Sequence, residues 1–188
     1  MNAIILHGGP SREEYYDPTL PSASNAFWFP WLQKQLLVHD IDAATPEVPR
    51  AFDRNWAVWA REVERFEIGA ETMLVGHSTG AGFFIKYLSI HPELYVGKVV
   101  LVAPWIDPRA EHTKNFFDNF TIDPQLVSRT KGVTIFASDN DEDSVLESEA
   151  IIKKALPSAT FKTFPGRGHF IGVTKFPELL HEIVGARQ

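Results

Sequence analysis

The sequence predicts an α/β fold, a single domain over residues 1–188 built on a mostly parallel six-stranded sheet. Three observations lead there. Strand-like and helix-like segments alternate six times along the chain, the pattern of βαβ units joined by right-handed crossovers. After Lys98, the run Val-Val-Leu-Val-Ala (99–103) is continuously apolar rather than alternating, as in a parallel strand covered on both faces. Residues 73–82, Met-Leu-Val-Gly-His-Ser-Thr-Gly-Ala-Gly, read as strand, sharp turn and helix start.

Taken in order, residues 2–7 are too short an apolar run for a helix and end in His7-Gly8-Gly9-Pro10, which marks a buried strand and its turn. Residues 10–26 form a long polar connection, expected to overhang the site. Ser24 or Asn25 caps a helix to about His39, with Pro30 in its first turn. A short strand follows at 41–44. Asp53 caps the next helix, which presents Trp56, Val58, Trp59, Val63 and Phe66 inward and Arg54, Arg61, Glu62, Glu64 and Arg65 to water, and Gly69 ends it. The third strand leads into a helix stopped by His91-Pro92. Residues 105–130 are irregular, with a short helix expected near 111–119 and another after Pro124. Strands at 133–137 and 160–164 flank a helix running to about Leu156, and a helix over 177–184 closes the chain.

Composition narrows the function. A formal charge of −6, without any Lys/Arg cluster, argues against nucleic acid and against acidic lipid surfaces as partners. With no cysteine, disulfides, thiolate metal sites and a cysteine nucleophile are excluded. No basic and apolar leader pattern opens the chain and no window is long enough to span a bilayer, so a cytoplasmic protein is expected.

The chemistry converges on Gly76-x-Ser78-x-Gly80. Glycines two residues to either side let strand and helix backbones approach, leaving Ser78 on a tight turn beside a helix N-terminus suited to a developing oxyanion. Gly-x-Ser-x-Gly also occurs by chance in glycine-rich loops; the strand before it and the helix after it set this one apart. A serine hydroxyl needs a base, and the base needs a third group to hold its tautomer. His169, between Gly168 and Phe170 just past the last strand, is the candidate base; His7, His77, His91 and His181 are rivals, whereas His39 and His112 lack a strand-end context. Asp139, Asp141 and Asp143 share one turn. Asp141, four residues past Ala137, stands where that turn reaches back toward the rim; Asp139 is the alternative and Asp143 fits the next helix cap. Thr79 and Gly9 are the candidate oxyanion donors, because neighbouring strands ~4.8 Å apart would open the Gly8-Gly9 loop next to Ser78. Trp28, Trp105 and Phe170, beside the rim loops, are expected to line an acyl or aryl pocket.

His7-Gly8-Gly9, Phe27-Trp28-Phe29-Pro30-Trp31-Leu32, Gly76-His77-Ser78-Thr79-Gly80, Ala103-Pro104, Ser138-Asp139-Asn140-Asp141 and Gly168-His169-Phe170 occur in that order. With them the chain resembles the small α/β-hydrolases related to retinoblastoma-binding protein nine and their bacterial relatives, over nearly its whole length. The resemblance implies a three-layer sandwich without a large cap domain, with strand order 2-1-3-4-5-6. It also implies a serine hydrolase of the esterase type with Ser78, Asp141 and His169 as its triad, a small ester-like substrate and no cofactor or metal. Residues 10–26 look longer than the family's first loop, and Glu142 stands where members often carry proline. The eukaryotic member's retinoblastoma contact is attributed to a Leu-x-Cys-x-Glu motif, which a chain without cysteine lacks, so that contact is not implied here. The competing expectation is a fold kept as a ligand- or protein-binding module, since fold alone does not carry function.

Overall fold

The computed structural model describes residues 1–185. Six strands, β1 (Asn2–Leu6), β2 (Asp42–Ala44), β3 (Thr72–His77), β4 (Val99–Val102), β5 (Val133–Ser138) and β6 (Thr160–Phe164), form one sheet in the order β2-β1-β3-β4-β5-β6. Every pairing is parallel, with Leu6 opposite Gly76, His77 opposite Val102, Val102 opposite Phe136 and Ser138 opposite Phe164. This register brings the carboxyl ends of β1, β3, β4 and β5 to one rim. After β1 the chain steps outward to β2 and then crosses back over to β3, so the change of direction falls between β1 and β3, where open α/β sheets form their sites.

The helices are α1 (Arg12–Tyr16), α2 (Phe29–Val38), α3 (Trp56–Glu64), α4 (Thr79–Ile90), α5 (Asp143–Ala155) and α6 (Pro177–Val184). α2 meets α6 on one side of the sheet, and α3 meets α4 through Trp56, Trp59 and Phe83. The strands β1, β4 and β5 are buried along almost their whole lengths, as their continuous apolar runs require. None of the described helices is long and apolar enough to cross a membrane.

Local chemistry moved several boundaries. α1 was not expected; it rests on a capping box in which Ser11 Oγ accepts from the Glu14 N–H and Glu14 Oε2 accepts from the Ser11 N–H. α2 starts at Phe29, because Phe27 takes a positive φ of 53° and detaches the single turn Ala23–Asn25 from it. α3 is capped by Asn55, whose side chain accepts from the Val58 N–H, while Asp53 is paired with Arg50. Glu62 is buried between Arg61 and Arg65 rather than solvated.

No helix forms over 111–119. There the Asp107 carboxylate gathers the N–H groups of Glu111, His112 and Thr113, and Lys86 Nζ from α4 donates to the Phe116 carbonyl at 2.7 Å. These side chains supply the partners a helical ladder would have supplied. Past Pro124 the expected helix is a short 3₁₀ stretch, Leu126–Arg129.

Candidate active site

Ser78 lies between β3 and α4 with φ 54° and ψ −120°, a conformation costly for a residue with a side chain. The flanking glycines explain how the turn closes. A Cβ on Gly76 would lie 2.6 Å from Ala81 Cα, and one on Gly80 would lie 2.4 Å from the His7 carbonyl oxygen. The turn is held from beneath: the Ser78 N–H donates to Val102 O, and Ser78 O accepts from the N–H groups of Gly82 and Trp105. The strain at Ser78 is therefore held in place by Val102 on β4, Trp105 just beyond it and the first turn of α4.

His169 and Asp141 meet. His169 Nδ1 lies 2.9 Å from Asp141 Oδ1 and 3.1 Å from Oδ2, with the Asp141 side chain fully buried and the imidazole mostly so. The carboxylate accepts a second hydrogen bond from the Glu142 N–H at 2.7 Å. His169 lines the same cleft as Ser78, but no hydrogen bond joins its ring to Ser78 Oγ among the described residues. Such contacts are often long before substrate arrives. Asp139 takes a different task, accepting from the Gly166 N–H, and Asp143 is the first residue of α5 behind Glu142. Asn140 Oδ1 accepts from the Gly168 N–H and Ser138 Oγ from the Arg167 N–H, so the turn after β5 sutures the loop that carries His169.

Two further histidines pack here. His77 Nε2 donates to the His169 carbonyl at 2.8 Å, and burial, with the neighbouring His169 ring adding to it, pulls its pKa down to about 3. His7 donates from Nδ1 to the Gly8 carbonyl at 2.6 Å and accepts at Nε2 from the Val48 N–H. Burial lowers its pKa as well, against the opposing charge of Glu47. Both rings are neutral structural pieces at neutral pH.

Gly9 and Thr79 both line the cleft. A Cβ on Gly9 would lie 3.4 Å from Thr79 Oγ1, so the two residues adjoin. Neither N–H donates to a protein acceptor among the described residues, so both remain free to bind an oxygen of a ligand in the cleft.

The cleft holds about 880 Å³. Residues 10–26 overhang it, with Tyr15, Leu20 and Pro21 on its wall and Tyr15 packed edge-on against Phe52. Trp105 lines it as expected. Trp28 and Phe170 do not: both are fully buried, Trp28 under the His77 ring and Phe170 stacked on Phe176. Their chain neighbours Phe27, Phe29 and Ile171 line the cleft instead. Sequence reasoning also missed Arg54 and His112 on the wall. Arg54 precedes the cap of α3, so the helical pattern that assigned it to water does not apply to it.

A family model described as serine hydrolase matches residues 18–180. YdeN of Bacillus subtilis, named as a candidate hydrolase, is 24% identical over 169 residues, spanning 83% of this chain and 86% of YdeN. The crystal structure of that gene product superposes with a TM-score of 0.80 at 23% identity, covering 97% of this chain and 96% of the other. Est1E from Butyrivibrio proteoclasticus, solved with ferulic acid bound, gives a TM-score of 0.61 at 15% identity over 97% of this chain and 86% of Est1E.

Proposed function

The chain belongs to the serine hydrolase family, and we propose that it is an acyl hydrolase of the carboxylesterase type working through Ser78, His169 and Asp141. The observation that carries this is the wiring of His169. Its Nδ1 faces the buried Asp141 carboxylate, which can only accept, so the proton sits on Nδ1 and Nε2 is left as a base in the cleft that holds Ser78.

In this reading Ser78 Oγ attacks the ester carbonyl while His169 Nε2 takes its proton. The Gly9 and Thr79 N–H groups bind the oxygen as it becomes negative. The C–O bond to the alcohol then breaks, and the proton held by His169 passes to the leaving oxygen. Water, activated by the same nitrogen, attacks the acyl-serine and releases acid and free Ser78. Asp141 keeps the imidazole in the required tautomer and stabilises the imidazolium between these steps. Thioesters and activated amides react by the same sequence.

A binding module on the same fold is the competing reading, favoured by the absence of a Ser78–His169 hydrogen bond. Against it stands the positive φ kept at Ser78, a cost that a site without a nucleophile has no reason to retain. A fluorophosphonate probe separates the two. The folded protein is expected to be labelled covalently at neutral pH and Ser78→Ala to escape labelling; an unlabelled wild type defeats the hydrolase mechanism.

A further inference from the structure

Arg54 is the only lysine or arginine on the cleft wall among the described residues. Its guanidinium lies over the Trp105 ring at 5.3 Å from the centroid. Its Nε is buried without a hydrogen-bond partner, and its one recorded hydrogen bond is a long contact from Nη1 to the Phe52 carbonyl at 3.4 Å. It has no ion pair among the described residues. The adjacent Asp53 is taken by Arg50, and the Asp107 carboxylate is spent on the backbone of 111–113. Burial lowers the guanidinium's pKa, with the charge of Asp107 opposing. The backbone there is itself unusual, with φ 47°.

A desolvated cation without an anion is expensive, and a left-handed backbone adds to the cost. The position gives the arrangement a use. A Cβ on Gly9 would lie 3.4 Å from Arg54 Nε, so the unpartnered donor stands beside one of the two candidate oxyanion groups. The cleft also carries Glu14, Asp17, Glu47 and Glu142. The first three already accept hydrogen bonds from the Ser11, Thr19 and Ser24 N–H groups, within the overhanging loop or against it, and none is paired with Arg54.

We propose that Arg54 is the anion-binding residue of this cleft, and that the preferred substrates are esters carrying a carboxylate a few bonds from the scissile carbonyl, such as the half-esters of short dicarboxylic acids. The substrate carboxylate takes the place of the missing counter-ion on the Arg54 fork, which suits a planar carboxylate better than a point cation would. That contact fixes the scissile carbonyl against Gly9 and Thr79. This inference rests on the hydrolase reading above and adds to it the class of substrate.

The test compares mono-4-nitrophenyl glutarate with 4-nitrophenyl pentanoate, its neutral counterpart of equal chain length, each corrected for spontaneous hydrolysis. In wild type kcat/KM for the anionic ester is expected to exceed that for the neutral one by about tenfold or more, the size of a charge-assisted hydrogen bond. Arg54→Gln should bring the ratio near unity, and Arg54→Lys should leave it in between. A wild-type ratio near one overturns the proposal. So does a loss in Arg54→Gln that is equal for both esters, since that assigns Arg54 to the oxyanion or to the fold. Thermal shift with free glutarate reads the anion site without turnover: stabilisation of wild type and Ser78→Ala, but not of Arg54→Gln, is expected. Glutarate binding without ester turnover or probe labelling would sink the hydrolase reading and spare the anion site; turnover without anion preference or glutarate binding does the reverse.

Discussion

Replacing Asp141 by asparagine keeps the shape of the side chain and removes one acceptor. In the wild type Oδ1 accepts from the Glu142 N–H at 2.7 Å and also faces His169 Nδ1 at 2.9 Å. An asparagine has one carbonyl oxygen to share. Turned toward the Glu142 N–H, it presents its NH₂ to His169 Nδ1, which must then accept. The ring proton moves to Nε2, and the nitrogen facing the cleft can no longer take a proton from Ser78. The same exchange in a triad on another fold lowers kcat by on the order of 10⁴, corresponding to about 5.5 kcal/mol of transition-state stabilisation. A loss of that order is expected for Asp141→Asn in 4-nitrophenyl ester hydrolysis, with a parallel fall in the rate of fluorophosphonate labelling and an unchanged circular dichroism spectrum. Asp139→Asn is the internal control. Its Oδ1 only accepts from the Gly166 N–H, which an amide oxygen does equally well, so activity should stay within about threefold. Asp141→Asn retaining more than a tenth of wild-type activity, or Asp139→Asn being the crippled variant, would refute the assignment.

Two further outcomes follow from packing and titration. Gly→Ala inside a helix ordinarily stabilises by about 1 kcal/mol, yet a Cβ on Gly82 would sit 2.0 Å from the Trp105 carbonyl oxygen, so Gly82→Ala should lose at least about 3 kcal/mol; urea unfolding reads the sign, and a gain in stability contradicts the packing described. The Glu149 carboxyl, buried on α5, is pushed up from 4.5 to about 8 by burial first and by the charge of Asp141 second. Between those values the unfolded chain has released the proton and the folded chain still holds it, so stability falls as pH rises through that window. Glu149→Gln removes the dependence and should be the more stable protein at pH 8 by about 2 kcal/mol, or roughly 4–8 °C in Tm, with no difference near pH 4; a gap that stays constant between pH 4 and 8 counts against it.

The sheet was legible because its signals are one-dimensional. A buried parallel strand such as 99–103 shows itself as an unbroken apolar run, and the elbow as glycines at fixed spacing. The pairing of His169 with Asp141 was legible as far as the rule that strand ends share a rim, and the choice of Asp141 within its turn came from a count of residues past β5. Side-chain direction in loops has no such signal. Trp28 and Phe170 were expected on the cleft wall, but each is buried in the core while a chain neighbour lines the cleft. Arg54 was lost for a related reason: Asn55 rather than Asp53 caps α3, so a helical wheel was extended over a residue that lies outside the helix. The capping box of Ser11 and Glu14 was in plain view, but a helix as short as α1, with no buried residue, leaves no apolar periodicity to find.

Spacing alone also cannot sort imidazoles: His77, His112 and His169 line the cleft, and His7 is bonded to the Gly8 turn beside it. What separates them is which nitrogen is already committed. His7 spends both, donating to Gly8 O and accepting from Val48. Because the two ends of a planar trans peptide point in opposite directions, tying down the Gly8 carbonyl turns the Gly9 N–H to the other side. On the proposed mechanism the ring thereby orients one of the two candidate oxyanion donors. His77 spends Nε2 on the His169 carbonyl, and with its pKa pulled down to about 3 it holds the His169 loop as a neutral strut. Among the four, only His169 both lines the cleft and has a ring nitrogen hydrogen-bonded to a carboxylate. On the proposed mechanism a proton can arrive there, be stabilised by a neighbouring charge and leave again, so His169 is preferred as the base for its hydrogen-bond partners rather than for its position in the chain.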